Sequence, residues 1–127
     1  MTRILLVEDD RWLGETYQLL FTKAGFQVDW CVDGYLAMEA IDQQRPDIIV
    51  LDLILPWANG LQLLQELMSH YDLQSIPVLL CSNALPADIS IKELVPYGVV
   101  EIIDKTATTP RQLLRAVRGA VHAKLSY

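Results

Sequence analysis

With 127 residues and a mass of 14.4 kDa, the chain is long enough for one domain with a real core and too short for two. Apolar residues make up 52% and charged ones 20%, which argues against disorder, and a net charge of −6 argues against a nucleic-acid surface, so no nucleic-acid partner is expected. The first apolar run is cut off at once by Glu8, Asp9 and Asp10, too early for a secretory signal or a membrane span; no membrane contact and a cytoplasmic location are expected.

In chain order, Ile4 to Val7 is an uninterrupted apolar run that reads as a buried parallel strand, followed by the three acids. Leu13, Tyr17, Leu20, Phe21 and Ala24 then recur at helical spacing up to Gly25, giving a helix over 11–24. Phe26 to Cys31 reads as a second strand, and Asp33-Gly34 as the turn and cap of a helix carrying Leu36, Ala37, Ala40 and Ile41. Pro46 closes that helix. Ile48 to Leu51 is a third strand, which gives way at Asp52 to turn chemistry at Pro56, Asn59 and Gly60. Leu61, Leu64, Leu67 and Met68 mark a third helix, and Pro77 introduces a fourth strand, Val78 to Cys81, with Ser82 and Asn83 at its end. Pro86 and Pro96 leave room only for a short or irregular fourth helix over about 88–94. Val99 to Ile103 is a fifth strand, followed by Asp104-Lys105. Thr109 caps a last helix whose first residue is Pro110 and whose buried face carries Leu113, Leu114, Val117 and Val121.

Five strands alternating with five helices give a parallel sheet covered on both faces. In such α/β sheets ligands bind at the carboxyl ends of the strands, where this chain places Glu8, Asp9, Asp10, Asp52, Ser82 and Lys105. Clustered carboxylates repel unless a cation joins them, and a hard cation such as Mg²⁺ takes one or two carboxylates and keeps water or phosphate in its other positions. Asp9 and Asp52 suit direct ligation, Glu8 or Asp10 a coordinated water. Asp10 serves equally well as the N-cap of the first helix. Lys105 and the Ser82 hydroxyl add donors for a phosphoryl group, and Asp52, being central, is the candidate nucleophile.

Taken together, Ile-Leu-Leu-Val-Glu-Asp-Asp at 4–10, Asp-Gly at 33–34, Pro-Asp-Ile-Ile-Val-Leu-Asp-Leu-Ile-Leu-Pro at 46–56 with Gly60, Pro77 through Ser82, and Lys105 resemble a receiver domain of a two-component response regulator. The resemblance runs from Arg3 to about Ala123. It implies a flavodoxin-like doubly wound (βα)5 sandwich with a five-stranded parallel sheet of order 2-1-3-4-5. It implies Asp52 as phosphoacceptor from the phosphohistidine of a histidine kinase or histidine phosphotransfer protein. Mg²⁺ would be held by Asp9, Asp52 and the backbone carbonyl of Ile54, with Glu8 acting through water, while Ser82 and Lys105 contact the phosphoryl oxygens. The expected unit is a single receiver over 1–127 with no output domain, a signalling module rather than an enzyme apart from its own phosphorylation and dephosphorylation. Its output surface is the face of helix 4, strand 5 and helix 5, used for a downstream protein or a homodimer.

Four features depart from the family pattern. Asn83 replaces a small residue, Ile102 replaces the aromatic switch partner of Ser82, Thr106 replaces a proline and so predicts a trans bond and a differently shaped loop, and the fourth helix is short. Asn83, Ile102 and Thr106 support an alternative, a phosphorylation-independent pseudo-receiver that acts by docking. A phosphatase with an aspartyl nucleophile ranks last, because the position two residues after Asp52 is Ile54 and not a second acid. Under the implied strand order Cys31 and Cys81 are too far apart to bridge, and both read as buried thiols. His70 and His122 read as surface residues. Trp57 is equally a partner contact or a packed loop residue, and neither Trp12 nor Trp30 carries a functional signal.

Overall fold

The computed structural model describes residues 1–52, 60–73, 75–83 and 91–125. Strands and helices alternate as β1 (Arg3–Val7), α1 (Arg11–Lys23), β2 (Gln27–Cys31), α2 (Gly34–Gln43), β3 (Ile48–Asp52), α3 (Gly60–Met68), β4 (Val78–Ser82), α4 (Ile91–Leu94), β5 (Val99–Asp104) and α5 (Pro110–Leu125). The strands form one parallel sheet in the order β2-β1-β3-β4-β5, the flavodoxin-like arrangement.

Side chains alternate across the sheet, as a pleated strand requires. Leu5, Val7, Ile49, Leu51, Val78 and Leu80 pack with Ile41 of α2 and Leu63, Leu64 and Leu67 of α3. Ile4, Leu6, Ile48, Val50, Leu79 and Cys81 pack with Tyr17 and Phe21 of α1 and Leu113 and Val117 of α5. Central strands buried on both faces are why β1, β3 and β4 read as continuous apolar runs.

Local chemistry fixes the helix ends. The Asp10 carboxylate accepts from the Leu13 N–H at 3.0 Å and so caps α1; Asp33 does the same for α2 through Leu36 at 2.9 Å. Thr109 and Gln112 form a reciprocal capping box at α5: Thr109 Oγ1 accepts from the Gln112 N–H (3.1 Å) and Gln112 Oε1 from the Thr109 N–H (2.8 Å). At the far end of α1, Gly25 has φ 98°, and the N–H groups of Gly25 and Phe26 donate to the carbonyls of Thr22 and Phe21. This Schellman closure explains why the helix stops at Lys23 and why β2 begins at Gln27 and not at Phe26. A Cβ at Gly25 meets nothing within 4 Å, so an alanine there feels only the left-handed backbone. Gly25→Ala is expected to lower unfolding free energy by about 1 kcal/mol in urea titrations, with cation binding unchanged.

At the other sheet edge β5 carries a bulge. Val78 pairs with Val99, but the next pair is Leu79 with Glu101, so Val100 is left over. Val99 packs on the α2/α3 side and Ile103 on the α1/α5 side, a change of face that strict alternation forbids. Of the fourth helix expected over about 88–94, residues 88–90 lie outside the described residues; Ile91–Leu94 is helical and is followed by a 3-10 turn at Val95–Tyr97 that contains Pro96.

Cys31 and Cys81 are free thiols. They lie three strand spacings apart, about 14 Å, and pack on opposite faces of the sheet. Cys81 is buried, but Cys31 is only half-buried, a correction that follows from β2 being an edge strand. His122 is exposed, and so is His70, which meets Glu66 one helical turn earlier at 3.3 Å. Ile54 and Trp57 lie outside the described residues.

Candidate functional site

Parallel strands bring their carboxyl ends to one edge. Val7 pairs with Leu51, so Glu8 and Asp52 stand level on neighbouring strands; Ser82 pairs with Asp104, which leaves Lys105 just beyond. The Lys105 N–H donates to the Ser82 carbonyl at 3.0 Å and ties the start of that loop to the end of β4. Among the described residues the buried polar or charged ones are Glu8, Asp52 and Ser82. All three line one cavity of about 260 Å³, together with Asp9, Asp10, Asn83 and Lys105. Among the described residues this edge alone brings buried polar and charged side chains together, which is why it is the candidate site.

The ammonium of Lys105, with its side chain 5% exposed, donates to Asp52 Oδ2 at 3.0 Å and to Glu8 Oε1. Burial pushes the Glu8 carboxyl up to about 7, with the opposing pull of Lys105 already included. Burial also acts to lower the Lys105 pKa, but the two carboxylates outweigh it and hold the ammonium above its ordinary value. Glu8, Asp9 and Asp52 each offer an oxygen, and these lie within 4.8 Å of one another. Three converging carboxylate oxygens against one ammonium form a donor set suited to a hard cation such as Mg²⁺.

The backbone carries much of the arrangement. Asp10 stands apart from the carboxylate trio, because its side chain caps α1. Glu8 is held by β2 through two bonds: its N–H donates to the Cys31 carbonyl (3.0 Å), and its carbonyl accepts from Trp30 Nε1 (2.9 Å). Beyond Lys105, Asp104 Oδ1 accepts from both the N–H (2.9 Å) and the hydroxyl (2.6 Å) of Thr106, an Asx-turn that replaces the proline loop of the family pattern. Thr106 also holds the exposed Asp104 carboxyl below its ordinary pKa, and no cis peptide bond occurs among the described residues. Ile102 pairs with Leu80, two residues short of Ser82, and is half-buried against the α2/α3 side. Asn83 is exposed at the cavity wall. Sequence reasoning assigned no site role to Trp30 and did not foresee the Asp104 turn, since both act through backbone groups.

Burial keeps both cysteines in the protonated, weakly nucleophilic thiol form at neutral pH. Burial raises the Cys31 thiol to about 11 and the Cys81 thiol to about 12. Among the described residues no helix is long and apolar enough to cross a membrane.

The response regulator receiver domain family model matches residues 4–118. The transcriptional regulatory protein QseB of Haemophilus influenzae is 42% identical over 92 residues, covering 72% of this chain and 41% of that protein. A protein-glutamate methylesterase/protein-glutamine glutaminase of Anaeromyxobacter dehalogenans is 30% identical over 132 residues, covering 97% of the chain and 37% of that protein. The chain thus spans about two fifths of these curated relatives. Among solved structures, the signal receiver domain of a signal transduction histidine kinase from Syntrophus aciditrophicus superposes with TM-score 0.84 at 25% identity, covering 97% of this chain and 92% of that one. The non-phosphorylated HemR receiver domain from Leptospira biflexa gives 0.83 at 27%, covering 95% and 94%. A match that runs from the first strand into the last helix, on a fold shared with these neighbours over nearly their full length, makes the chain a member of the response regulator receiver family, the signalling module of two-component systems.

Proposed function

We propose that Asp52 accepts a phosphoryl group from a phosphohistidine, carried by a histidine kinase or a histidine phosphotransfer protein, in a Mg²⁺-dependent step, and that the added charge alters a partner-binding surface. One observation carries the reading: the Lys105 ammonium lies 3.0 Å from the Asp52 carboxylate within a cavity where three carboxylate oxygens come within 4.8 Å. Receiver domains bind Mg²⁺ at an acidic pocket of this kind and interact with histidine kinases.

In the proposed step an Asp52 oxygen attacks phosphorus, the P–N bond to the donor imidazole breaks, and its electron pair stays on the ring nitrogen. Asp9, Asp52 and the backbone carbonyl of Ile54 would hold Mg²⁺, with Glu8 binding through water; the ion supplies neutralisation of phosphoryl charge. Lys105 then exchanges part of its pairing with Asp52 for a phosphoryl oxygen. Ser82 donates its hydroxyl to another. Because Lys105 is nearly buried and already oriented by two carboxylates, it needs little reorganisation as charge builds.

The output surface we assign is that of α4, β5 and α5, where Val95 and Val100 are 57% and 52% exposed. Ser82 and Ile102 are the proposed switch pair; Ile102 offers volume in place of a ring, and phosphorylation would act by changing which packing of β5 is favoured. The docking-only alternative rested on Asn83, Ile102 and Thr106. None of these removes a group from the acid and lysine cluster, so that alternative has no support.

Intact mass after incubation with Mg²⁺ and a small-molecule phosphodonor tests the proposal. One added phosphoryl group is expected, absent with chelator and absent in Asp52→Asn. An addition that persists in Asp52→Asn, or none in the parent protein with Mg²⁺ bound, rejects it.

A further inference from the structure

Asp9 differs from the other two carboxylates of the trio. It is exposed, and among the described residues its side chain enters no hydrogen bond or ion pair. Its place beside Glu8 and Asp52 therefore depends on the backbone on either side. On the following side, Asp10 is fixed as the cap of α1, and its N–H lies 3.3 Å from Glu8 Oε2. On the preceding side, the carbonyl of Glu8 belongs to the peptide that leads into Asp9, and it accepts from the indole N–H of Trp30 at 2.9 Å.

Trp30 reaches that carbonyl because α1 makes room for it. The ring lies on the α1/α5 side of β2, and α1 presents Gly14 to it. A Cβ built on Gly14 would stand 2.1 Å from Cζ2 and 2.2 Å from Cε2 of the indole, distances at which one of the two must move. Gly14 is buried as the fourth residue of α1, a helical position where glycine is otherwise unfavourable. Close approach of the ring accounts for it. Trp12, two residues upstream on α1, is 73% exposed and meets no such constraint.

We infer that Trp30 is a positioning residue of the cation site: its indole N–H fixes the plane of the Glu8–Asp9 peptide and so aims the otherwise unsupported Asp9 carboxylate at Glu8 and Asp52, with Gly14 as the notch that admits the ring. The inference rests on the Mg²⁺ site proposed above. Groups that orient metal ligands from behind typically change metal affinity by about 10- to 100-fold when removed. A single hydrogen bond to a ligand's neighbouring carbonyl belongs at the lower end of that range.

Trp30→Phe keeps an aromatic ring on β2 and deletes the donor. Calorimetric titration with MgCl₂ should show binding about tenfold weaker than in the parent protein. The rate of phosphoryl uptake from a small-molecule donor should return to the parent value once Mg²⁺ is saturating. Gly14→Ala should weaken Mg²⁺ binding in the same direction, because it displaces the ring while leaving the N–H chemically present. A folded Trp30→Phe protein with parental Mg²⁺ affinity, whatever its melting temperature, overturns the inference and leaves the phosphoacceptor proposal standing. If Trp30→Phe fails to fold, Gly14→Ala decides by the same titration. A parent protein that does not bind Mg²⁺ overturns both.

Discussion

Lys105→Met is expected to destabilise the metal-free protein by about 3 kcal/mol near pH 8, and by much less near pH 5.5. Methionine keeps the length and volume of the lysine stem but leaves two buried carboxyl groups without the ammonium they share. Removing one member of a buried ion pair strands charge in a poorly solvated place, and here two acceptors are stranded at once. The pH dependence follows from Glu8. Its pKa in the fold is about 7 against an ordinary 4.5, so the folded state holds this proton more tightly than the unfolded chain does. The stability linked to that proton is present in full below about 4.5 and is lost as pH rises through about 7. Lys105 is among the groups that pull the Glu8 value down, so without it the folded-state pKa moves higher and the loss extends further toward alkaline pH. In acid, protonated Glu8 no longer needs a counter-charge. Urea titrations at the two pH values measure the difference; an equal loss at both would mean that Lys105 acts through packing or through Asp52 and not through Glu8. The Lys105 pKa is itself raised, so in the parent protein its stabilising share persists up to 10.5 and fades only above that.

How Lys105 reaches the site also shows where the sequence falls short. Asp52, Glu8 and Asp9 were legible from local pattern, because each follows an apolar run that a parallel sheet must bury, and the strand ends of such a sheet share an edge. Asp10, Asp33 and Thr109 were legible as caps for a similar reason, since capping is decided within four residues. Lys105 was legible as a residue at the end of the fifth strand, but the pattern did not say which face of the sheet it would take. The run Val99-Val100-Glu101-Ile102-Ile103 gives no sign of which residue is left over, and without the bulge at Val100 residue 105 would continue the face of Val99, away from Glu8 and Asp52. Trp30 and Gly14 were illegible for another reason. They are 16 residues apart, and the fit between an indole and a missing methyl exists only once β2 is docked against α1. Cys31 was misread as buried because its apolar neighbours were weighed above the edge position that the implied strand order gives β2.

Asp9→Asn is expected to reverse sign with Mg²⁺. In metal-free, low-salt buffer the variant should be more stable than the parent by about 0.5–1 kcal/mol, a rise in melting temperature of a few degrees. The Asp9 side chain makes no contact in the described fold whose loss would cost anything, while its charge sits within 4.8 Å of two other carboxylates that share one lysine. Removing it relieves repulsion and breaks nothing. The gain should shrink in about 1 M salt, where the screening length falls to roughly 3 Å. With Mg²⁺ present the order inverts. At one hundred times its dissociation constant the ion stabilises the parent by about 2.7 kcal/mol, more than the repulsion relieved, whereas a variant lacking one carboxylate ligand gains little at the same concentration. Melting curves of the two proteins against MgCl₂ should therefore cross. Parallel curves would exclude Asp9 as a ligand and move the cation onto Asp52 and Glu8; a variant less stable than the parent even in chelator would show that the Asp9 carboxylate is held by the fold for structural reasons. The crossing is the signature of a carboxylate kept for the ion it binds at the expense of the protein without it.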